Sequence, residues 1–314
     1  MRSIHWLLAV LPALAGCSDD FAPYSLLDRL RILAVSAEPA TPMPGEATTL
    51  SALTFAPGGE TPLLRWSWCP VPATAGDAYA CPLDESAANQ IFAAYLEPSA
   101  APALPSFDLG AAATAAFVNP FSAGALATLC AAGVASPLWA QSFDCDDGYP
   151  VTVVLDAATT SASLRAGFVL RLPTSATPES NNNPAPAGLT LGGIPLGAAP
   201  ATVQVAPGAT IELRADVPPD AAELRSIPPT EGAPGQRLER LTVSWFATSG
   251  KIDKARTSFI DGVASLGDMA SNRFTAPAAE AWPAGGLVEF AAVVRDDRGG
   301  VGWIEGNVVL GQAP

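Results

Sequence analysis

The sequence predicts an all-β protein of two β-sandwich domains, the first carrying a disulfide-stapled, partly helical insertion. Three observations predict it. Short β-prone runs recur between glycine and proline turns, a stretch of the chain repeats itself around a tryptophan, and one long apolar segment breaks the pattern.

The chain opens with Arg2, then an apolar run from Trp6 to Leu14 interrupted by Pro12, then Ala15 and Gly16 before Cys17. That order is an export signal, and it falls short of the roughly 20 apolar residues a membrane span needs. Leu14-Ala15-Gly16-Cys17 resembles the bacterial lipobox. The resemblance implies a lipoprotein signal peptide over residues 1–16, a diacylglyceryl group on the Cys17 thiol and cleavage just before it. Burying acyl chains gives about 0.8 kcal/mol per CH₂, so two or three chains hold stably where one does not. Ser18 is not the aspartate that retains such proteins at the inner membrane, so the resemblance points to the outer membrane of a Gram-negative cell envelope. Residues 17–30 read as a tether; fully extended, 18–30 reach at most about 45 Å.

The first domain is drawn at residues 31–175, with β-prone runs RILAVSAEP (31–39), ATTLSALTF (47–55), LLRWSWCPV (63–71), PVTVVLDA (150–157) and LRAGFVLRLP (164–173). TSATPESNNNPAPAG (174–188) is polar and rich in proline and asparagine, and marks an interdomain linker drawn at 176–200. The second domain, 201–314, follows with ATVQVAP, TIELRADV, RLTVSWFATSG and the pair GLVEFAAVVRDD and GGVGWIEGNVVL.

The repeat sets MPGEATTLSA and LLRWSWCP beside APGATIELRA and LTVSWFAT. In each half a Pro-Gly turn starts a strand and a later strand carries Trp66 or Trp245. The second spacing is longer, and the polar stretch 218–238 reads as the loop that lengthens it. A tryptophan on the third strand fills the centre of immunoglobulin-like (Ig-like) sandwiches, and Trp68, two residues beyond Trp66, faces the same side.

With AVSAEPATPMPGEATTLSA, RWSWCP, SNNNPAPAGLTLGG and AAVVRDDRGGVGW, the mature chain resembles bacterial lipoproteins with tandem Ig-like domains from Gram-negative, GC-rich organisms. The final hairpin is similar to the ends of PKD-type and cadherin-like modules. What the resemblance implies is a fold; no activity travels with these motifs.

Residues 72–149 are too long for a loop and read as an insertion. DESAANQIFAAYL (84–96), with Ser86 as N-cap, and FSAGALATLCAAGV (121–134) supply two short helices. Between Pro98 and Phe143 the only charged residue is Asp108. Prolines interrupt this apolarity, so it packs over the first sandwich; an exposed apolar docking surface is the alternative.

Cys69, Cys81, Cys130 and Cys145 in an exported chain imply two disulfides. Three pairings are open to them; local pairing, Cys69–Cys81 and Cys130–Cys145, closes two short loops. Zinc is the rival, against which stand the absent CxxC spacing and the lack of any histidine after the signal segment.

Thirty acidic against 16 basic residues leave a net charge of −14, which argues against nucleic acid or anionic lipid as partner. The membrane link is then the lipid itself. His5, the only histidine, leaves with the signal, and with it go Ser-His-Asp, Cys-His and HExxH chemistry. No phosphate loop or dinucleotide fingerprint is present, and no cofactor is called for. Asp144, Asp146 and Asp147 beside Gly148 are a weak calcium candidate, off the EF-hand spacing, and Asp296 with Asp297 a second. Trp139, Trp282 and Trp303 are free to stack on a sugar ring, though nothing in the sequence sets them side by side. The sequence therefore points to a non-catalytic interaction or scaffolding module with an envelope protein or polysaccharide partner. Its rivals are a carbohydrate-binding module, a calcium-dependent adhesion module and a carboxylate-only hydrolase.

Overall fold

The computed structural model describes residues 22–97, 103–135, 144–228 and 231–312; Cys17 and Trp139 lie outside them. The chain is all-β, in two Ig-like sandwiches. The first has seven strands: β1 (Arg31–Glu38), β2 (Ala47–Phe55), β3 (Leu63–Cys69), β4 (Asp108–Gly110), β5 (Thr114–Val118), β6 (Tyr149–Ala158) and β7 (Ser163–Leu172). Helix α1 (Glu85–Phe92) follows β3, and α2 (Ala123–Ala135) follows β5. The sheets run β1-β2-β5 and β4-β3-β6-β7, with antiparallel ladders.

Between these sheets lie Trp66 and Trp68, with Leu50 and Phe117 from one side and Val151, Val153 and Leu155 from the other. Each buried indole N–H needs an acceptor. Trp66 donates to Ala112 O (3.0 Å) and Trp68 to Ser106 O (2.9 Å), which ties residues 106–112 to β3. Strand β6 is buried along almost its whole length because both faces are covered. On its outer side the loop after β3 folds back: Ala73 N–H donates to Thr152 Oγ1 (2.8 Å), and the Tyr79 ring lies where a β-carbon on Gly167 would sit.

The second sandwich runs from β8 (Gly188–Leu191), β9 (Ile194–Leu196), β10 (Ala201–Val205) and β11 (Thr210–Asp216) to a ribbon of β12 (Leu224–Ser226) and β13 (Gln236–Leu238). Then come β14 (Leu241–Ala247), β15 (Lys251–Ile252), β16 (Arg256–Phe259), the one-turn helix α3 (Leu266–Met269), β17 (Ser271–Thr275), β18 (Leu287–Arg295) and β19 (Val301–Gln312). Its sheets run β15-β17-β11-β8-β9 and β10-β19-β18-β14-β16, with β10 parallel to β19. Trp245 fills the centre with Phe274 and Phe290, its Nε1 donating to Thr257 Oγ1 at 2.8 Å.

The repeat is structural. Gly45 (φ 76°) and Gly208 (φ 74°) make the left-handed turns that start β2 and β11. Trp66 and Trp245 sit on β3 and β14, each an inner strand paired to the strand of the closing hairpin, β6 or β18. The lengthening stretch 218–238 holds the β12–β13 ribbon.

Three boundaries differ from the sequence reading. The span 72–149 is not a simple insertion, because β4 and β5 inside it belong to the sandwich. Strand β5 was masked by alanine, a strong helix former, yet Ala115 and Phe117 alternate inward as a strand requires. The helices do lie on this core through Ala88, Phe92 and Leu126. The N-cap of α1 is Asp84 rather than Ser86: extended at φ −78° and ψ 163°, it accepts the Ala87 N–H at 2.7 Å.

Residues 188–196, expected within the linker, form the β8–β9 hairpin, with β8 paired to β11. The described part of the expected tether, residues 22–30, is docked. Ala247 N–H donates to Ser25 O (2.9 Å), Leu27 N–H donates to Ala247 O (2.8 Å), and Leu27 and Leu30 are buried. The edge of β14 beyond its pairing with β16 is open at that point, and an apolar Leu26-Leu27 pair closes it.

The disulfides join Cys69 to Cys81 and Cys130 to Cys145, closing loops of 12 and 15 residues. Replacing Cys130 and Cys145 together by alanine is expected to lower unfolding free energy by about 3 kcal/mol, read from urea midpoints against the parent chain.

Candidate functional site

The region richest in polar chemistry is the junction of the two sandwiches, and an apolar seam sets it up. In β1 a bulge between Ile32 and Ala34 inserts an extra residue, so Leu33 and Ala34 both face outward. They meet Phe246, Val293 and Val301 on the outer face of the second sandwich, the face opposite Trp245. Ser36, two residues further along β1, donates its hydroxyl to Val301 O at 2.7 Å.

The linker is pinned rather than flexible. Asn183 Nδ2 donates to Ala37 O and to Glu38 Oε2 (both 2.7 Å), and its Oδ1 accepts the Val301 N–H (2.8 Å), so one side chain stitches β1 to β19. Asn182 donates its backbone and side-chain N–H to Glu223. Gly302 is required beside this segment, because a β-carbon there would collide with the Pro184 carbonyl.

Behind the linker lies a buried charge cluster. Arg225 on β12 is 1% exposed; its Nη2 meets Asp147 Oδ1 at 2.8 Å, and its Nη1 lies 3.4 Å from Asp297 Oδ2. Arg237 on β13 holds Asp297 at 2.5 Å and Glu231 at 2.6 Å. Arg298, in the β18–β19 turn, donates to Ser180 O (2.5 Å), Glu179 O (3.2 Å) and the fully buried Glu239 (3.2 Å). Asp147 comes from the first sandwich, the linker from between, and the arginines from the second, so the cluster spans both domains.

Its acids outnumber its guanidinium groups, and burial raises several of them. Burial pushes Asp147 up against the pull of Arg225, and pushes Glu239 up against the Glu223 N–H and Arg298. Asp296 rises to about 7, first from burial and then from the neighbouring charge of Glu239. Its Oδ1 accepts the N–H groups of Arg298 and Gly300 (2.8 Å each), while its Oδ2 is buried without a hydrogen-bond partner.

The calcium candidates are engaged here. Asp144 pairs with Arg171 at 3.0 Å; burial opposes its ionisation, yet the Asp146 N–H and Arg171 outweigh burial and hold its carboxyl below the usual range. Asp147 and Asp297 are taken by Arg225 and Arg237. Asp146 contributes its backbone N–H to Asp144. A cation would have to displace guanidinium groups, and among the described residues no cluster of three or more acidic, cysteine or histidine side chains is arranged to hold a metal.

Of the candidate tryptophans, the two among the described residues belong to different clusters. Trp282 packs against the core of the second sandwich and Trp303 against the seam. A groove of about 360 Å³ runs beside the seam and holds Glu60, Glu289 and Glu305. Glu289 and Glu305 are diagonal neighbours across β18 and β19, and Glu305 is raised by burial and then by Glu289. Glu60 is committed to the Thr160 N–H at 2.8 Å. Sequence reasoning missed the whole arginine set, because Arg225, Arg237 and Arg298 carry no local pattern that distinguishes them from solvated charges.

No protein-family model matches the chain, and no curated protein matches it. Among solved structures it is similar to a chimeric titin Z1Z2–Z1Z2 tandem, at 13% identity over 91% of this chain and 100% of that one, with a TM-score of 0.23. It is also similar to extracellular domains 3–5 of Drosophila OTK (7% identity, 90% and 61% covered, TM-score 0.21) and to three N-terminal domains of the bacteriophage RB49 outer capsid protein Hoc (10% identity, 90% and 59% covered, TM-score 0.19). The chain spans about three fifths of the length of those last two, and 26% of a nucleoside hydrolase-related protein from Saccharophagus degradans. The sandwich assignment rests on the chain's own strand order.

Two outcomes follow from the junction. Arg225→Ala leaves Asp147 and Asp297 buried with less compensation and is expected to cost about 3–5 kcal/mol, measured by urea unfolding. For Asp296 the folded-state value of about 7 lies above the ordinary 3.8, so the folded chain keeps a proton that the unfolded chain loses. Its contribution to stability is complete below that ordinary value and is lost as pH rises toward 7. Asp296→Asn is expected to flatten this part of the decline, seen in thermal midpoints at about pH 5 and about pH 8.

Proposed function

We propose that this chain is a lipid-anchored, non-catalytic module of the bacterial cell envelope that holds two Ig-like sandwiches as one rigid body for interaction or scaffolding. The observation that carries the proposal is the junction. A catalytic domain needs a cleft with converging reactive groups; here the most elaborate polar chemistry in the described chain is spent joining two domains. Flexible tandem modules leave such a linker unpinned, whereas this one is hydrogen-bonded to both sides.

The anchor follows from the resemblance of Leu14-Ala15-Gly16-Cys17 to the lipobox. Among the described residues no helix is long and apolar enough to cross a membrane, which is consistent with attachment through the lipid. Outer-membrane placement rests on Ser18 after the cysteine.

The runner-up is a carboxylate-only hydrolase in the Glu289–Glu305 groove, favoured by the raised Glu305 carboxyl. Glu305→Gln abolishing cleavage of an envelope polysaccharide would establish it, and intact turnover by that variant removes it. The sugar-binding reading loses support from the separation of Trp282 and Trp303.

Intact-mass measurement on membrane-extracted protein tests the proposal. The mass expected is that of a chain starting at Cys17 with acyl groups attached, and Cys17→Ser is expected to move the protein from the membrane to the soluble fraction. A bare thiol at residue 17 in native material sinks the anchor.

A further inference from the structure

We infer that the edge of the second sandwich where the N-terminal segment docks is a membrane-facing surface that holds anionic lipid headgroups through Arg29, Arg31, Lys254 and Arg256. The inference rests on the anchor proposed above, which fixes which end of the body is near the bilayer but not which face.

The entry point is clamped. The Tyr24 ring packs against Phe246, centroids 5.5 Å apart and planes tilted by 50°, and two guanidinium groups lie over it, Arg31 at 4.8 Å and Arg256 at 5.0 Å. Arg31 Nη1 also donates to Tyr24 O (2.8 Å) and Leu26 O (3.2 Å), so the chain leaves the fold at one place and in one direction. From Cys17 to Ala22 are five residue steps, at most about 18 Å fully extended. A lipid on Cys17 therefore keeps this edge close to the headgroups while the rest of the body is free to tilt.

Charge decides the tilt. Residues 24–31 and 251–256 carry five basic and two acidic residues in a chain of net charge −14, and 251–256 holds both of its lysines. The acids present are Asp28, beside Arg29 at 3.8 Å, and Asp253; Asp268 lies near enough to Lys254 to feel its charge. Arg225, Arg237 and Arg298 are consumed by carboxylates, but among the described residues Arg31 and Arg256 have no carboxylate partner: Arg31 meets the Tyr24 and Phe246 rings and two main-chain oxygens, and Arg256 the Tyr24 ring. Lys254 and Arg256 are exposed. An anionic surface attracts this edge and repels the acid-rich remainder within a screening length of about 8 Å. Tyr24, 44% exposed, is a residue type that settles at a headgroup layer.

The experiment places the full lipidated chain on vesicles of phosphatidylcholine alone and of phosphatidylcholine with about one-third phosphatidylglycerol. Hydrogen exchange is expected to slow in peptides 24–31 and 251–260 on the anionic vesicles only, and to recover in about 1 M salt, where screening shortens to about 3 Å. Lys254→Gln and Arg29→Gln, both at exposed positions, are each expected to reduce that difference about five-fold, whereas Arg65→Gln on the first sandwich leaves it unchanged. Equal exchange on the two vesicle types, or protection of another face, overturns the inference. If intact mass shows Cys17 bare, the anchor falls alone and sedimentation of the unlipidated chain judges the surface. Binding to the anionic vesicles that Arg256→Gln weakens upholds it, and no binding ends it.

Discussion

Strand β1 has no face left for water. Val35 and Ala37 point into the first sandwich, while Ala34 and Ser36 point at the second. A strand ordinarily alternates between core and solvent, and a strand buried on both sides commits two bodies to one another. Small side chains let the backbones approach, and the bulge at Leu33 supplies the one large group that the gap needs. From this follow the short linker with every asparagine engaged, the docking of residues 22–30 on β14, and the placement of Asp147 within reach of Arg225.

The charge cluster is better understood as a device for orientation than for stability. Desolvating guanidinium and carboxylate groups costs several kcal/mol per ion, and well-packed apolar residues often do as well. What apolar residues lack is direction. The seam of Leu33, Val293 and Val301 tolerates sliding, since hydrophobic contact is non-directional. Asp147 against Arg225, and Arg298 against Ser180, Glu179 and Glu239, fix one geometry because each donor has a position. The excess of acid over arginine then leaves Asp296 as the group that holds a proton instead of a partner.

The sandwich itself was legible in the sequence where the signal is local. Trp66 and Trp245 announce inner strands because an indole on a β-prone run that follows a Pro-Gly-started strand has few other uses, and the cysteine pairs announce short loops because near cysteines close at least entropic cost. Strands β4, β5, β8 and β9 were hidden for a physical reason. They are three to five residues long, made largely of alanine, glycine and leucine, and gain their identity from the neighbour they pair with. The candidate site was hidden more deeply. The ion pairs of Asp147 and Asp297 leave no local trace, because a carboxylate looks the same in sequence whether its partner is water, a cation or, for Asp147, an arginine 78 positions away. The acidic runs drew attention as calcium ligands; the arginines that answer them are scattered singly through loops and short strands.

Rigidity and charge segregation together bear on how such a body would work at a surface. A flexible tandem on a long leash samples every orientation, and its partners must capture it from that ensemble. Here the expected leash of residues 17–30 is cut to the few residues before Tyr24, since the rest is part of the fold. The two sandwiches turn together because the seam and the cluster couple them. Orientation of one edge against a bilayer therefore sets the orientation of the whole molecule, including the β7 edge of the first sandwich with its exposed Leu164 and Val169. A partner that reads that edge meets it at a fixed height and angle, which reduces the rotational freedom lost on binding. The same coupling makes the junction the place where a single substitution acts at a distance. Loosening Arg225 or Asn183 leaves each sandwich its own core, yet removes the geometry by which one end positions the other.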